Sequence, residues 1–294
     1  MTINDFITEV YCFIDDEYKK LTNSISLRSR GFKPRLSDSE VITMEVVGEY
    51  LGHDKDTHIW KYFKNNKLDM FPLIGSRCNF VKQSANLWNI KQLLQSRLVE
   101  CYFSYSDIHV IDGFPMPICH YARSSRCKSF KGTASYGYCA AKDEKYYGFK
   151  GHIIVDSNGV INSFTTTCPE VDERVAMLDI CGKIKGLLLG DKGYISKDIS
   201  LELLEYGVIL QTPKRRNMQE DRPKWFLKFL RSKRKIVETV ISQLKRIFNI
   251  QSIRVRDMWH MTNRLARKIL AHNICTLINM KHGFNILDIE PLVN

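Results

Sequence analysis

Two short apolar runs end in the same way, and they constrain the fold more than any other feature. IHVIDGF (108–114) closes on Asp112 followed by Gly113, and GLLLGDKGY (186–194) closes on Asp191 between Gly190 and Gly193. Runs of this length bounded by turn residues read as buried strands. Between them, YYGFKGHIIVDSNGVINSFTTT (146–167) reads as two strands joined at Asp156-Ser157-Asn158-Gly159, with β-branched residues on both sides. Helical periodicity runs from Val171 to Ile184. After Asp191 come a helix at Ser200–Glu205, a strand at Val208–Gln211 stopped by Pro213, and long helices from about Trp225 to Phe248 and about Thr262 to Met280. The order predicts an α/β chain: a mixed β-sheet flanked by helices.

The first hundred residues differ. Ile3, Phe6, Ile7, Val10, Phe13 and Ile14 recur at helical spacing, and Ser37 with Glu40 makes a capping box for a helix running towards Leu51. Trp60, Tyr62 and Phe63, then Leu87 through Val99, continue the helical pattern. No sharp helix-turn-helix signature stands out, so a DNA-binding module and a purely structural helical domain are both open. The one stretch with linker character is Lys214–Arg222.

Charge narrows the partner. The formal net charge is +12. Between Thr212 and Lys268 there are 17 Lys/Arg against 4 Asp/Glu, so the excess is local. Such a footprint suits a polyanion, nucleic acid before an anionic membrane, although a solvated basic face would look similar. The acid-rich first 17 residues do not read as an export signal, and no apolar run is long enough to span a bilayer. Nine cysteines are scattered with no CxxC pair, which suits reduced thiols. Cys119, His120 and Cys127 offer zinc-ligand types, but at irregular spacing.

Within the basic run, RSKRKIVETVISQLKR (231–246) holds six basic residues and one acid, Glu238. On a helix, Arg234, Glu238 and Lys245 fall near one stripe, beside an apolar stripe of Val237, Val240, Ile241 and Leu244. An Arg234–Glu238 surface pair is the plain reading. The alternative joins Glu238 to Asp112 and Asp191. Three convergent carboxylates repel unless a cation binds them, and hard Mg²⁺ or Mn²⁺ suits carboxylate oxygen. Two such ions would clamp the attacking and leaving oxygens of a phosphoryl displacement.

The motifs IDGFP (111–115), YYGFKGHIIVDSNGVI (146–161), LLLGDKGYIS (187–196) and Arg234-x3-Glu238-x6-Lys245 together resemble the DDE transposases of bacterial insertion sequences, most closely the IS982 group of the IS4-like set. The wider set has Tyr where this chain has Arg231. The resemblance covers roughly residues 105–280, and RLSDSEVITMEVV looks like the family's helical leader. It implies an RNase H-like catalytic fold, with an N-terminal helical domain at 1–104 that binds DNA and a catalytic domain at 105–294. It also implies Asp112, Asp191 and Glu238 as the catalytic, metal-binding triad, on strand 1, strand 4 and a helix.

The expected activity is Mg²⁺- or Mn²⁺-dependent cleavage at the element's terminal inverted repeats, followed by 3′-OH strand transfer into target DNA. Two ions, a homodimer or higher oligomer in the synaptic complex, and a bacterial cytoplasmic, nucleoid-associated location go with it. Arg234, Lys245, Lys192, Arg231, Lys235 and Arg246 are the expected DNA contacts. Tyr194 is expected to pack, and Asp172 and His152 to take turn or surface roles, with a place behind the acids as the alternative. A hydrolytic RNase H-like nuclease or resolvase, and a non-catalytic transposase-derived DNA-binding protein, are the competing readings.

Overall fold

The computed structural model describes residues 1–23, 33–103, 106–139 and 143–293. The chain divides into two compact units: Met1–Phe103 with Leu244–Asn294, and Ser104–Gln243. Residues 244–294 therefore fall with the N-terminal helices and not with the strands, unlike the division at 104/105 drawn from sequence.

The first unit is helical. It contains α1 (Ile3–Thr22), α2 (Asp38–Tyr50), α3 (Asp56–Asn66), α4 (Arg77–Asn86) and α5 (Trp88–Tyr102). The Ser37 capping box forms: Ser37 Oγ accepts from Glu40 N at 3.1 Å, and Glu40 accepts from Ser37 N at 2.6 Å. The periodicity of the chain before residue 100 gave no separate α4. The last long helix, α9 (Met258–Lys281), is the centre of this unit, buried without a break from Asn263 to Asn279 and packed on α2, α4 and α5. A helix buried all round must satisfy its own polar side chains. Arg267 meets Glu45, Glu49 and Asp56, while Lys268 meets Glu49 at 2.5 Å. A cleft in this unit is lined by Lys33, Arg35 and Lys82 together with Asn79, Asn86 and Asn89.

The second unit holds a six-stranded mixed sheet: β1 (Ile108–His120), β2 (Ser135–Cys139), β3 (Glu144–Asp156), β4 (Ile161–Thr167), β5 (Gly186–Leu189) and β6 (Val208–Gln211). The order is β2-β3-β1-β5-β6, with β4 also on β3. β3 is antiparallel to β1, and β5 and β6 run parallel to it. The expected hairpin joins β3 to β4, with Gly159 at φ 88° in its turn. β1 is longer than expected: it does not turn after Phe114 but continues through Pro115 and Pro117 to His120. The prolines are tolerated because β5 pairs with Ile108–Val110, so beyond that point, among the described residues, β3 is the one strand paired with β1. β2 lacks long apolar alternation and was not legible.

Alternation assigns the two faces of the sheet. Ile111, Ile154 and Leu188 point to one side, where they form a core with Met177, Ile180 and Cys181 of α6 (Glu173–Cys181) and Leu203 of α7 (Lys197–Glu205). Val110, Asp112 and Leu189 therefore lie on the other. α8 (Lys224–Arg246) is strongly amphipathic, burying Val237, Val240, Ile241 and Leu244.

Candidate active site

The strand register brings the two aspartates together. Val110 pairs with Leu189 as the last rung of the parallel β1–β5 ladder. Two residues further along each strand stand Asp112 and Asp191, on the same side as that rung. Asp191 keeps an extended backbone, and Gly190 N still donates to Gln211 O at 3.1 Å, so the strand direction holds to the acid. The position lies past the carboxyl end of β5, beside β1, which has β5 as its parallel neighbour and β3 as its antiparallel one. In open α/β sheets ligands bind outside the carboxyl ends of the strands.

Glycines open the ground around the acids. A Cβ on Gly113 would lie 3.0 Å from Lys150 Cε, so the bare backbone lets Lys150 fold across β1. A Cβ on Gly193 would lie 2.7 Å from Glu173 Oε2 and 2.9 Å from Asp191 Oδ1. Each carboxylate also accepts from a backbone amide close by in the chain: Gly113 N donates to Asp112 Oδ1 at 2.8 Å within β1, and Gly193 N to Asp191 Oδ1 at 2.7 Å.

The electrostatics couple the three acids. Burial lifts the Asp112 carboxyl above the ordinary carboxylate range. The Gly113 N–H and Arg234 oppose that rise, while Asp191 and Glu238 add to it. Asp112 thus feels both other acids, and Glu238 reaches it from the exposed side of α8. Arg234, one turn earlier, is half-buried with Nε closed off from solvent and without a hydrogen-bond partner. No Arg234–Glu238 ion pair forms among the described residues. Arg234 instead acts on Asp112, which the simple i, i+4 reading did not foresee.

Two further groups belong to the site. Lys150 pairs with Glu173, and burial pulls its ammonium down against the pull of Asp191, Asp112 and Asp172. The signal was a lysine inside an otherwise buried strand, GFKGHIIV. Tyr194 packs, as expected, fully buried in the α6–α7 core. Its hydroxyl, however, has no partner and lies in the field of Asp112, Asp191 and Arg234, with burial the main force raising it. Tyr194 Oη and Arg234 Nε are thus two buried polar atoms without a hydrogen-bond partner among the described residues, both on side chains in the field of Asp112.

The other candidates are placed differently. Lys192, Arg231 and Lys235 are exposed, and Lys245 is half-buried. Arg246 pairs with Glu290. Asp172 caps α6 and binds Arg174. His152 is buried, its Nε2 2.9 Å from Thr167 Oγ1. Among the described residues no three His, Cys, Asp or Glu side chains are gathered at ion-coordinating distances, so the three acids face one another at electrostatic range. The donor set itself, three carboxylates with Asp112 half-buried and its carboxyl raised, fits a hard divalent cation. No helix among the described residues is long and apolar enough to cross a membrane.

The family model described as a transposase DDE domain matches residues 103–258, just over half of the chain. No curated protein sequence matches it. Among solved structures, a piggyBac transposase synaptic complex with hairpin DNA, determined by cryo-EM, is similar with a TM-score of 0.55 and 12% identity. The similarity covers 98% of this chain and 75% of that one, and it speaks to the fold.

Proposed function

The chain belongs to the transposase DDE domain family and is a metal-dependent, DNA-cleaving transposase, and from that premise we propose that Asp112, Asp191 and Glu238 are its metal-binding triad. The observation that carries this reading is the β1–β5 register, which sets Asp112 and Asp191 at matching positions on one face, with Glu238 acting on the same carboxyl. The sheet is read as RNase H-like, and the chain as a relative of the IS982 group.

Mg²⁺ or Mn²⁺ ions held there, two in number, would activate the attacking oxygen and polarise the scissile phosphodiester. The protein's own groups supply the rest. Arg234 offsets the crowded acids before the substrate arrives, and its free Nε can then donate to a phosphate oxygen. Lys150, tied back by Glu173, stands over Gly113 as a second positive charge beside Asp112 and Asp191. Arg231, Lys235 and Lys192 lie on exposed surface and hold DNA backbone, as Lys245 and Arg246 do at the end of α8. Exclusion of water on the α6–α7 side by Tyr194 keeps these charges strong.

The proposed substrates are the element's terminal inverted repeats and then target DNA, handled by a homodimer or larger synaptic complex in the bacterial cytoplasm. The helical unit contributes end binding through its Lys33–Arg35–Lys82 cleft. A precut end carrying a free 3′-OH, offered with target plasmid and Mg²⁺, tests the reaction class. Joined product supports a transposase acting by strand transfer. Nicking without joining would favour a hydrolytic nuclease or resolvase.

A further inference from the structure

The far end of the sheet carries a surface of different chemistry. β2 is an edge strand whose one ladder partner among the described residues is β3. Tyr136 and Tyr138 on it are 55% and 58% exposed, and Tyr121, opening a short 3₁₀ turn after β1, is 51% exposed. Three neighbouring exposed tyrosines are unusual, since aromatic rings carry a large gain on burial.

The rings form a ladder. Tyr121 lies 5.4 Å from Tyr136, and Tyr136 lies 5.5 Å from Tyr147, centroid to centroid. The two pairs are tilted, at 60° and 58° between ring planes, and Tyr147 is buried and donates its hydroxyl to Phe130 O at 3.2 Å, which anchors the inner end of the row. Lys145 Nζ sits 5.8 Å from the Tyr121 ring, and Arg123 and Arg126 are exposed on the turn. The Tyr138 hydroxyl is taken by Asp143 at 2.7 Å, leaving its ring as the free element.

Register places this ladder relative to the acids. Tyr136 pairs with Tyr147, Tyr138 with Lys145, and Asp112 with Ile153. Positions 145, 147 and 153 of β3 share one face, so the tyrosines lie on the same side of the sheet as Asp112. From Tyr147 to Ile153 the strand advances about 20 Å, at ~3.4 Å per residue, which is the rise of about six nucleotides.

We propose that Tyr121, Tyr136 and Tyr138, ringed by Lys145, Arg123 and Arg126, form a stacking platform for unpaired DNA bases on the sheet face that carries the acids. Bases fit better than a protein partner. Every nucleotide brings a base with a π-face and a phosphate, matching exposed rings with cations close by, whereas an apolar protein surface would leave the cations unpaired. Duplex DNA hides its base faces within the stack, so the platform selects single strands. That the strand is a transposition substrate rests on the triad reading; the platform itself does not.

The test is fluorescence anisotropy of the full chain in chelator, with a labelled oligothymidine and a duplex of equal length. Tyr121→Ala with Tyr136→Ala is expected to weaken single-strand binding about tenfold or more and to leave duplex binding unchanged. Tyr121→Phe with Tyr136→Phe should bind both like the parent. Single-strand affinity unchanged in the Ala pair, an equal loss on duplex, or an equal loss in the Phe pair would each overturn the proposal. Should the Ala pair melt early, Tyr138→Ala, at the most exposed position, carries the same expectation and the same refutation. Because chelator silences the acids, failure of the triad leaves this result untouched, and failure of the platform leaves the triad standing.

Discussion

Glu49→Leu should destabilise the helical unit more than Arg267→Met, although Arg267 has more ionic contacts. Among the described residues the buried network holds three acids, Glu45, Glu49 and Asp56, and four cations, Lys91, Arg264, Arg267 and Lys268. Removing Arg267 leaves each acid with one cation: Lys91 on Glu45, Lys268 on Glu49 and Arg264 on Asp56. Of the four acceptors Arg267 serves, the three carboxylates each keep another cation, and the one left without a charged partner is Asp54 O, 2.9 Å from Arg267, at a cost of about 1–3 kcal/mol. Removing Glu49 instead leaves four cations against two acids, with Lys268 holding only the Phe248 carbonyl at 2.5 Å. An uncompensated buried charge costs about 3–5 kcal/mol. Urea unfolding followed by far-UV circular dichroism reads the difference as a shift in midpoint at constant slope. A Glu49→Leu chain as stable as Arg267→Met, or more stable, would refute the charge count.

Two other outcomes follow from the structure. Burial pulls His152 and His272 from 6.5 to about 4, with Lys150 adding to the effect on His152. Both are neutral when folded but charge below about 6.5 when unfolded, so their stabilisation is full above pH 6.5 and lost as pH falls towards 4. His152→Asn with His272→Asn should flatten the fall in thermal midpoint across that window; an unaltered slope would exclude them as its source. Arg231→Ala with Lys235→Ala should reduce the slope of log binding constant against log salt by about 2, near 0.9 per phosphate contact, measured on duplex DNA. An unchanged slope would mean that neither residue touches phosphate.

Much of the sheet unit was legible because its signals are local. An apolar run ending in Asp-Gly, a hairpin turn with Gly159 and a helix with one acid among bases are each contained in a few residues. The register that faces Asp112 with Asp191 was not, since it depends on which strands pair. Arg234 misled for the same reason: its i, i+4 neighbour was visible, whereas its action on Asp112 is long-range. A lysine inside a buried strand is all that GFKGHIIV shows of Lys150 locally, because its link to the acids runs across strands and through Glu173. The place of α9 depended on contacts such as Arg267 with Glu49, 218 residues apart. Its Arg and Lys looked like part of a basic surface, but they are buried counter-ions.

The triad is tested most directly by Mg²⁺-dependent nicking of a duplex carrying the sequence that flanks the gene. The parent chain should cut it in Mg²⁺ and stop in chelator. Asp112→Ala, Asp191→Ala and Glu238→Gln should each reduce cutting to background while binding the same duplex in chelator as the parent does. A single one of these variants that still cuts at the parent's rate would remove that residue from the metal site, and cutting that survives chelator would contradict the account as a whole.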